Sequence, residues 1–97
     1  MNMQEHLLYI TERTLRRLEF SNLRGVTALW RENDHTACLT FYFNAPITDE
    51  DVEETDDLAG GIIAHFYDGL LEENHIRWDY PLPLPPNKFL IFLANKI

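Results

Sequence analysis

The first quarter of the chain repeats apolar residues at three- and four-residue steps, and this pattern predicts an amphipathic helix over residues 4–23. The predicted buried stripe comprises Gln4, Leu7, Leu8, Thr11, Leu15, Leu18 and Asn22. Arg24 and Gly25 indicate the end of the helix, because a cation followed by glycine suits the last turn and a left-handed cap.

Two strands joined by a tight turn are predicted next. Residues 26–32 and 36–44 read as strands, and residues 33–35 between them tolerate the positive φ of a hairpin turn. One face of the second strand consists of Ala37, Leu39, Phe41 and Phe43. The other face is more polar, so the alternation predicts a sheet that is covered well on one side and less on the other.

A second helix is predicted to begin after Thr48 and to end near residues 73–74. Thr48 is a favourable N-cap, and Asp51 stands where a capping-box partner belongs. The predicted buried stripe comprises Val52, Ala59, Ile62, Ile63, Phe66 and Leu70. Gly60 and Gly61 each cost about 1 kcal/mol in mid-helix relative to alanine. We therefore expect close packing against the sheet or the first helix there, or else a kink.

The C-terminal part predicts two further strands separated by a proline-rich loop. Residues 75–80 alternate, with Ile76 and Trp78 on one face. Residues 81–86 include four prolines, which remove the donors that a central strand needs. Residues 88–96 are apolar on both faces, a pattern that is typical of a strand at the centre of its sheet.

The predicted order of elements is therefore αββαββ. We expect an α+β two-layer sandwich, in which two helices lie on one face of a four-stranded, mainly antiparallel sheet. The 97 residues leave room for one domain, which we expect to span residues 1–97.

The negative net charge limits the kinds of partner that we expect the protein to bind. The formal net charge is −8 at pH 7, so we expect neither nucleic acid nor an anionic membrane to bind, whereas a basic protein would be attracted. Cys38 is the single cysteine and forms no internal disulfide. Neither a signal peptide nor an apolar run of the ~20 residues that cross a bilayer is evident, so we expect a cytoplasmic protein.

The sequence also lacks the familiar catalytic spacings. It contains no phosphate-binding glycine loop and no HExxH motif, and Ser21 has no adjacent base. We therefore expect no catalytic residue, no cofactor and no metal site, and a protein that is not an enzyme.

Two groups of polar side chains nevertheless share a predicted face. On the second helix they are His65, Asp68 and Glu72. On the third strand they are His75, Arg77 and Asp79. The first group could hold a metal ion and the second could transfer a proton. A solvated helix face and cross-strand ion pairs on the open side of the sheet are the preferred interpretations.

The most unusual feature is an acidic run at the start of the second helix. Seven of the nine residues from 49 to 57 are acids. A few would stabilise the helix N-terminus by about 0.3–1 kcal/mol each, but the remainder repel one another. We predict that a basic partner binds this face, and the predicted contacts are Asp49, Glu50, Glu53, Glu54, Asp57, Asp68 and Glu72. The alternative is a surface that serves solubility.

The layout of the chain resembles the small cytosolic immunity proteins of bacterial polymorphic-toxin systems, including contact-dependent growth inhibition. The similarity is carried by the acidic helix start at residues 47–51, the strand at 76–80, the loop at 81–86 and the apolar strand at 89–93. It implies a stoichiometric inhibitor that binds a cognate toxin domain, often a nuclease with an electropositive active site. No individual residue transfers, because the resemblance contains no shared motif.

Two other functions remain open at this point. A regulatory or chaperone-like subunit, or a homodimer, would use the open sheet face, with Tyr42, Arg77, Leu90 and Phe92. A small enzyme would use His65, His75 or Asp79 as its acid or base.

Overall fold

The computed structural model describes residues 2–16, 22–79, 82–84 and 89–92. It contains two helices, α1 (Met3–Arg16) and α2 (Asp49–Ile63). Three strands of eight or nine residues form the sheet, namely β1 (Leu23–Arg31), β2 (Thr36–Phe43) and β3 (Leu70–Arg77). A three-residue segment, β4 (Leu90–Phe92), pairs at one edge, so the spatial order is β3-β2-β1-β4.

The sheet is mixed, which corrects the mainly antiparallel sheet expected from the sequence. β1 pairs antiparallel with β2 and with β4, whereas β3 runs parallel to β2. A parallel neighbour requires a crossover connection, because the chain must return to the end from which β2 started. The segment that contains α2 makes this crossover.

The hairpin between β1 and β2 is confirmed. A 3₁₀ turn at Glu32–Asp34 leads into His35, which adopts the left-handed conformation with φ 52°. Trp30 and Ala37 lie opposite each other near this turn, and the antiparallel pairing continues to Leu23 and Phe43 with a shift of register between Leu23 and Gly25.

The first helix is shorter than predicted. Leu7, Thr11 and Leu15 form its buried side, as expected, and the described helix spans Met3–Arg16, whereas Leu23 is already part of a strand. Residues 23–25 belong to β1, so the predicted helix stop at Arg24 and Gly25 is wrong, and Gly25 has no positive φ. Pairing with β2 and burial of the Leu23 side chain favour the strand there. Leu18 lies outside the described residues.

The second helix begins as predicted and ends earlier. The Thr48 hydroxyl accepts from the backbone N–H of Asp51, and the Asp51 carboxylate accepts from the N–H of Thr48, so the capping box is present. The helix stops at Ile63 instead of near residue 73, and β3 begins at Leu70. An eight-residue ladder with β2 overrides the helical periodicity of this segment.

The predicted last strand is also placed differently. It is described only at Leu90–Phe92, where it pairs with Thr27, Val26 and Gly25 at the edge of the sheet and not at its centre. Residues 88 and 93–96 of that prediction lie outside the described residues.

The hydrophobic core lies between the two helices and one face of the sheet. The helices contribute Leu7, Leu15, Leu58, Ala59 and Ile62. The strands contribute Leu23, Val26, Ala28, Trp30, Ala37, Leu39, Phe41 and Phe43. The opposite face of the sheet is open, as predicted, and leaves Leu29 43% and Ile76 37% exposed.

Gly60 and Gly61 do not pack closely against anything, which corrects the first expectation for them. Both are exposed on α2, and a Cβ added at either position would meet no atom within 4 Å in the described structure. Their cost of about 1 kcal/mol each is therefore not offset by a contact within this part of the chain.

In the ranges that the structure describes, no helix is long and apolar enough to cross a membrane.

Candidate protein-binding surface

Five of the predicted contact residues form a single exposed surface on α2. This acidic surface comprises Asp49, Glu50, Glu53, Glu54 and Asp57. They occupy adjoining rows on the helix, because residues four apart lie one above the other. The capping box fixes the first turn, so the acidic surface starts from an ordered helix end.

No cation neutralises the acidic surface within the described ranges. The ion pairs found there join Arg16 to Glu12, Arg31 to Asp34, Arg31 to Glu72 and Arg77 to Asp79. No lysine or arginine occurs in the sequence between Arg31 and Arg77. The carboxylates of α2 therefore repel one another without local compensation.

Asp68 and Glu72 do not continue the acidic surface along the helix, contrary to prediction. Asp68 lies in the turn after α2, with φ 59°. Glu72 lies on β3 and faces the open side of the sheet, where its carboxylate is 3.6 Å from Arg31. The prediction placed both residues on one helical face with Glu50 because it assumed a helix that extends about ten residues beyond Ile63, where α2 ends.

Because α2 is shorter than predicted, the first predicted group of metal ligands is not brought together. His65 is exposed just beyond α2, and it does not come together with Asp68 and Glu72. The three metal-ligating side chains that do converge in the described part of the chain are Asp56, Glu73 and His75. Their potential ligand atoms all lie within 4.8 Å of one another.

His75 lies on the covered side of the sheet, so its predicted position on the open side is wrong. Its ring stacks on Phe41, with centroids 5.5 Å apart, and on Phe43 at 6.2 Å. Its Nε2 atom is 2.8 Å from the hydroxyl of Thr55 on α2. Arg77 pairs with Asp79, two residues further along its own segment, at a shortest distance of 2.9 Å, and this pair is not the cross-strand ion pair that was predicted.

Glu73 lies beside Asp56 where β3 packs against α2. Burial, as the larger cause, and the neighbouring Asp56 carboxyl together raise the pKa of Glu73 to about 7. Its Oε1 atom is buried and has no hydrogen-bond partner among the residues that the structure describes. Sequence reasoning missed this cluster because it placed Glu73 on the helix. The only available signal was the i,i+2 spacing of Glu73 and His75, which puts both on one face of a strand.

The open sheet face presents a second, more apolar surface. Tyr42 and Trp78 meet edge to face there, with ring centroids 6.4 Å apart. The Trp78 indole N–H donates to the carbonyl of Pro83 at 2.9 Å, which ties residues 82–84 to the end of β3. Leu29, Leu70 and Ile76 are exposed aliphatic residues of this face.

Two helices over a mixed sheet, with an uncompensated acidic surface, define a small α+β domain suited to binding another protein. The chain belongs to the MafI2 immunity protein family, whose sequence model matches residues 4–95. The resemblance to immunity proteins of polymorphic toxin systems is thereby confirmed. The family implies a toxin-neutralising immunity protein with a cognate toxin as its partner. A search of curated proteins found no match to this chain.

Proposed function

We propose that the protein binds a basic, nuclease-type toxin domain through the acidic surface and blocks its active site in the cytoplasm of the cell that makes both. The observation that carries this proposal is the set of five exposed carboxylates on α2 without an ion pair in the described structure. The protein acts by occupying the toxin and not by chemistry of its own.

Charge repulsion within the acidic surface supports a role in binding. Acids beyond those needed at the helix N-terminus destabilise the free protein, and a basic partner would turn that repulsion into attraction. Nuclease active sites hold phosphates and are accordingly electropositive, so an acidic helix can take the place of the nucleic-acid backbone. Steering of this kind raises association rates by about 10- to 1000-fold at low salt.

The exposed glycines of α2 also favour a binding surface. Gly61 follows Glu50, Glu54 and Asp57 along one side of the helix at four- and three-residue steps. Since no group of the described chain fills the space above it, a partner's backbone can approach the helix closely at this point.

The test uses the cognate toxin, recovered by co-purification with the tagged full-length chain and then purified. A triple variant, Glu50→Gln with Glu54→Gln and Asp57→Asn, should associate about tenfold more slowly at low salt and show a weaker salt dependence. The matched control removes three acids elsewhere, by Glu5→Gln with Glu12→Gln and Glu32→Gln. Equal association rates for the two triple variants would contradict the acidic surface as the binding site.

The open sheet face is the second candidate, as a docking surface for a regulatory partner or for a second copy of this chain. It is favoured by the exposed Leu29 and Ile76 side chains beside Tyr42. Light scattering of the wild-type chain and of Ile76→Gln distinguishes the two surfaces. A wild-type dimer that Ile76→Gln converts to a monomer would support the sheet face.

A further inference from the structure

Two carboxylates and one imidazole come together where α2 packs against β3. Asp56 comes from the exposed side of α2, whereas Glu73 and His75 point from β3 toward the same helix. The register places Glu73 opposite Leu39 and His75 opposite Phe41, so both side chains stand on the covered face at the edge of the sheet.

The adjacent carboxylates of Asp56 and Glu73 are stabilised by a cation or by a proton that they share. Glu73 Oε1 is buried without a hydrogen bond, and neither Glu73 nor Asp56 forms an ion pair with another described residue. Glu73 is half-buried and lies beside the exposed Asp56, so the two carboxylates repel each other unless a cation or a shared proton lies between them.

A hydrogen bond to Thr55 orients the His75 ring so that its other ring nitrogen can ligate a metal ion. The hydroxyl of Thr55 lies 3.0 Å from the carbonyl of Asp51 and 3.1 Å from that of Val52. Its single hydrogen is therefore directed to these carbonyls, and the hydroxyl accepts from the Nε2–H of His75. Nδ1 is then the ring nitrogen that a metal ion can use, and the ring is fixed in orientation by the hydrogen bond and by stacking on Phe41.

We propose that Asp56, Glu73 and His75 bind one divalent transition-metal ion, with Zn²⁺ as the best fit. One imidazole and two carboxylates match the ligands that Zn²⁺ takes, whereas Mg²⁺ and Ca²⁺ prefer oxygen ligands only. Ligand atoms around Zn²⁺, each at about 2.0–2.2 Å from the ion, stand closer together than the 4.8 Å limit of this cluster. The exposed Asp56 side chain can close that gap by rotating, and the ion would then join α2 to β3.

The chain supplies matched controls for each carboxylate. Asp57 follows Asp56 on the exposed helix surface, and Glu72 precedes Glu73 on β3 but points to the opposite face. Both controls lie outside the cluster. Asp56→Asn against Asp57→Asn, and Glu73→Gln against Glu72→Gln, therefore change the same charge at neighbouring positions. His75 is left unchanged, because its removal would also take a ring from the core.

The test is calorimetric titration of ZnCl₂ into the full-length chain after treatment with a chelator. We expect one Zn²⁺ per chain and a higher melting temperature in its presence. Affinity should fall at least about tenfold in Asp56→Asn and in Glu73→Gln and stay unchanged in Asp57→Asn and Glu72→Gln. Circular dichroism of each variant shows whether the fold is retained, and MgCl₂ serves as the comparison ion.

Two results would overturn the proposal. The first is no Zn²⁺ binding at millimolar concentration by the folded wild-type chain, which would leave a shared proton as the link between the two carboxylates. The second is binding that all four variants weaken equally, which would mean that Zn²⁺ collects on the acidic helix without using this cluster. Neither result bears on toxin binding, since association with the toxin is measured separately on the triple variant.

Discussion

Thr55 on α2 and His75 on β3 meet across the joint between the helix and the edge strand, where the hydroxyl oxygen lies 2.8 Å from Nε2. The Thr55 side chain is fully buried. This hydrogen bond therefore links β3, which among the described strands pairs with β2 alone, to the helix that carries the acidic surface.

Thr55→Val should destabilise the protein by about 1–3 kcal/mol, because it keeps the shape of the side chain but leaves the His75 Nε2–H buried without an acceptor. Urea unfolding followed by circular dichroism measures the change. Thr14→Val is the control, since Thr14 also bonds to the carbonyl four residues back and has no partner on another element among the described residues. Equal losses in the two variants would show that the bond to His75 contributes nothing.

Gly60→Ala and Gly61→Ala should each stabilise the free protein by up to about 1 kcal/mol, because both glycines are helical and have open space around them. Thermal unfolding measures the gain. Gly69→Ala is the opposite control and should destabilise, since its Cβ would lie 3.0 Å from Phe66 Cβ and 3.2 Å from the Phe66 carbonyl oxygen.

The glycine variants also test the acidic surface. If the toxin approaches α2 closely at Gly61, Gly61→Ala should weaken the complex although it stabilises the free protein. Surface plasmon resonance with the purified toxin separates the two effects. Unchanged affinity in Gly61→Ala would show that the partner does not contact this part of the helix.

The free energy of unfolding of the metal-free protein should depend on pH through Glu73. Its pKa is raised from 4.5 to about 7 in the folded state, so the folded protein holds a proton that the unfolded chain releases. This contribution is complete below about pH 4.5 and is lost as the pH rises through about 7.

Chemical unfolding at a series of pH values, with a chelator present, measures that loss. Glu73→Gln should flatten the curve between pH 5 and 8, about the range in which the proton is released. The groups that face Glu73 are Asp56 on α2 and His75 on its own strand, so Asp56→Asn should shift the transition to lower pH. A wild-type curve that matches Glu73→Gln would contradict this assignment.

Thr48→Ala should cost about 1 kcal/mol of stability, because it removes the acceptor for the Asp51 N–H and opens the capping box. Thr48→Ser keeps the hydroxyl and should retain most of the wild-type stability. Hydrogen exchange of the amides in the first turn of α2 gives a local measure. The same exchange rates in both variants would show that the cap does not hold this turn.

Local sequence signals predicted the elements whose partners are close in the chain. The capping box at Thr48 and Asp51, the turn before His35 and the alternation along β2 all depend on neighbouring residues. The exposure of the acidic surface followed in the same way, since the phase of a short helix can be read from its apolar positions.

The start of β3 could not be predicted in this way. Ile63, Phe66 and Leu70 follow a helical period, so the local pattern favours a longer α2. The structure instead pairs Leu70 with Thr36, and the backbone ladder of β2 determines the outcome. The misplacement of Asp68 and Glu72 followed from this error, because each was assigned by its phase on a helix that ends earlier.

The parallel pairing of β2 with β3 also sets an order of events when the chain folds. β1 and β2 close a short loop, whereas β3 can join β2 only after the long segment that contains α2 has crossed the sheet. The entropy of closing this loop is lost before its contacts form, so we expect the pairing of β3 with β2 to form more slowly than the hairpin. The contact between α2 and β3 thus forms after the hairpin, and a nascent chain on the ribosome cannot complete it until residue 77 has emerged.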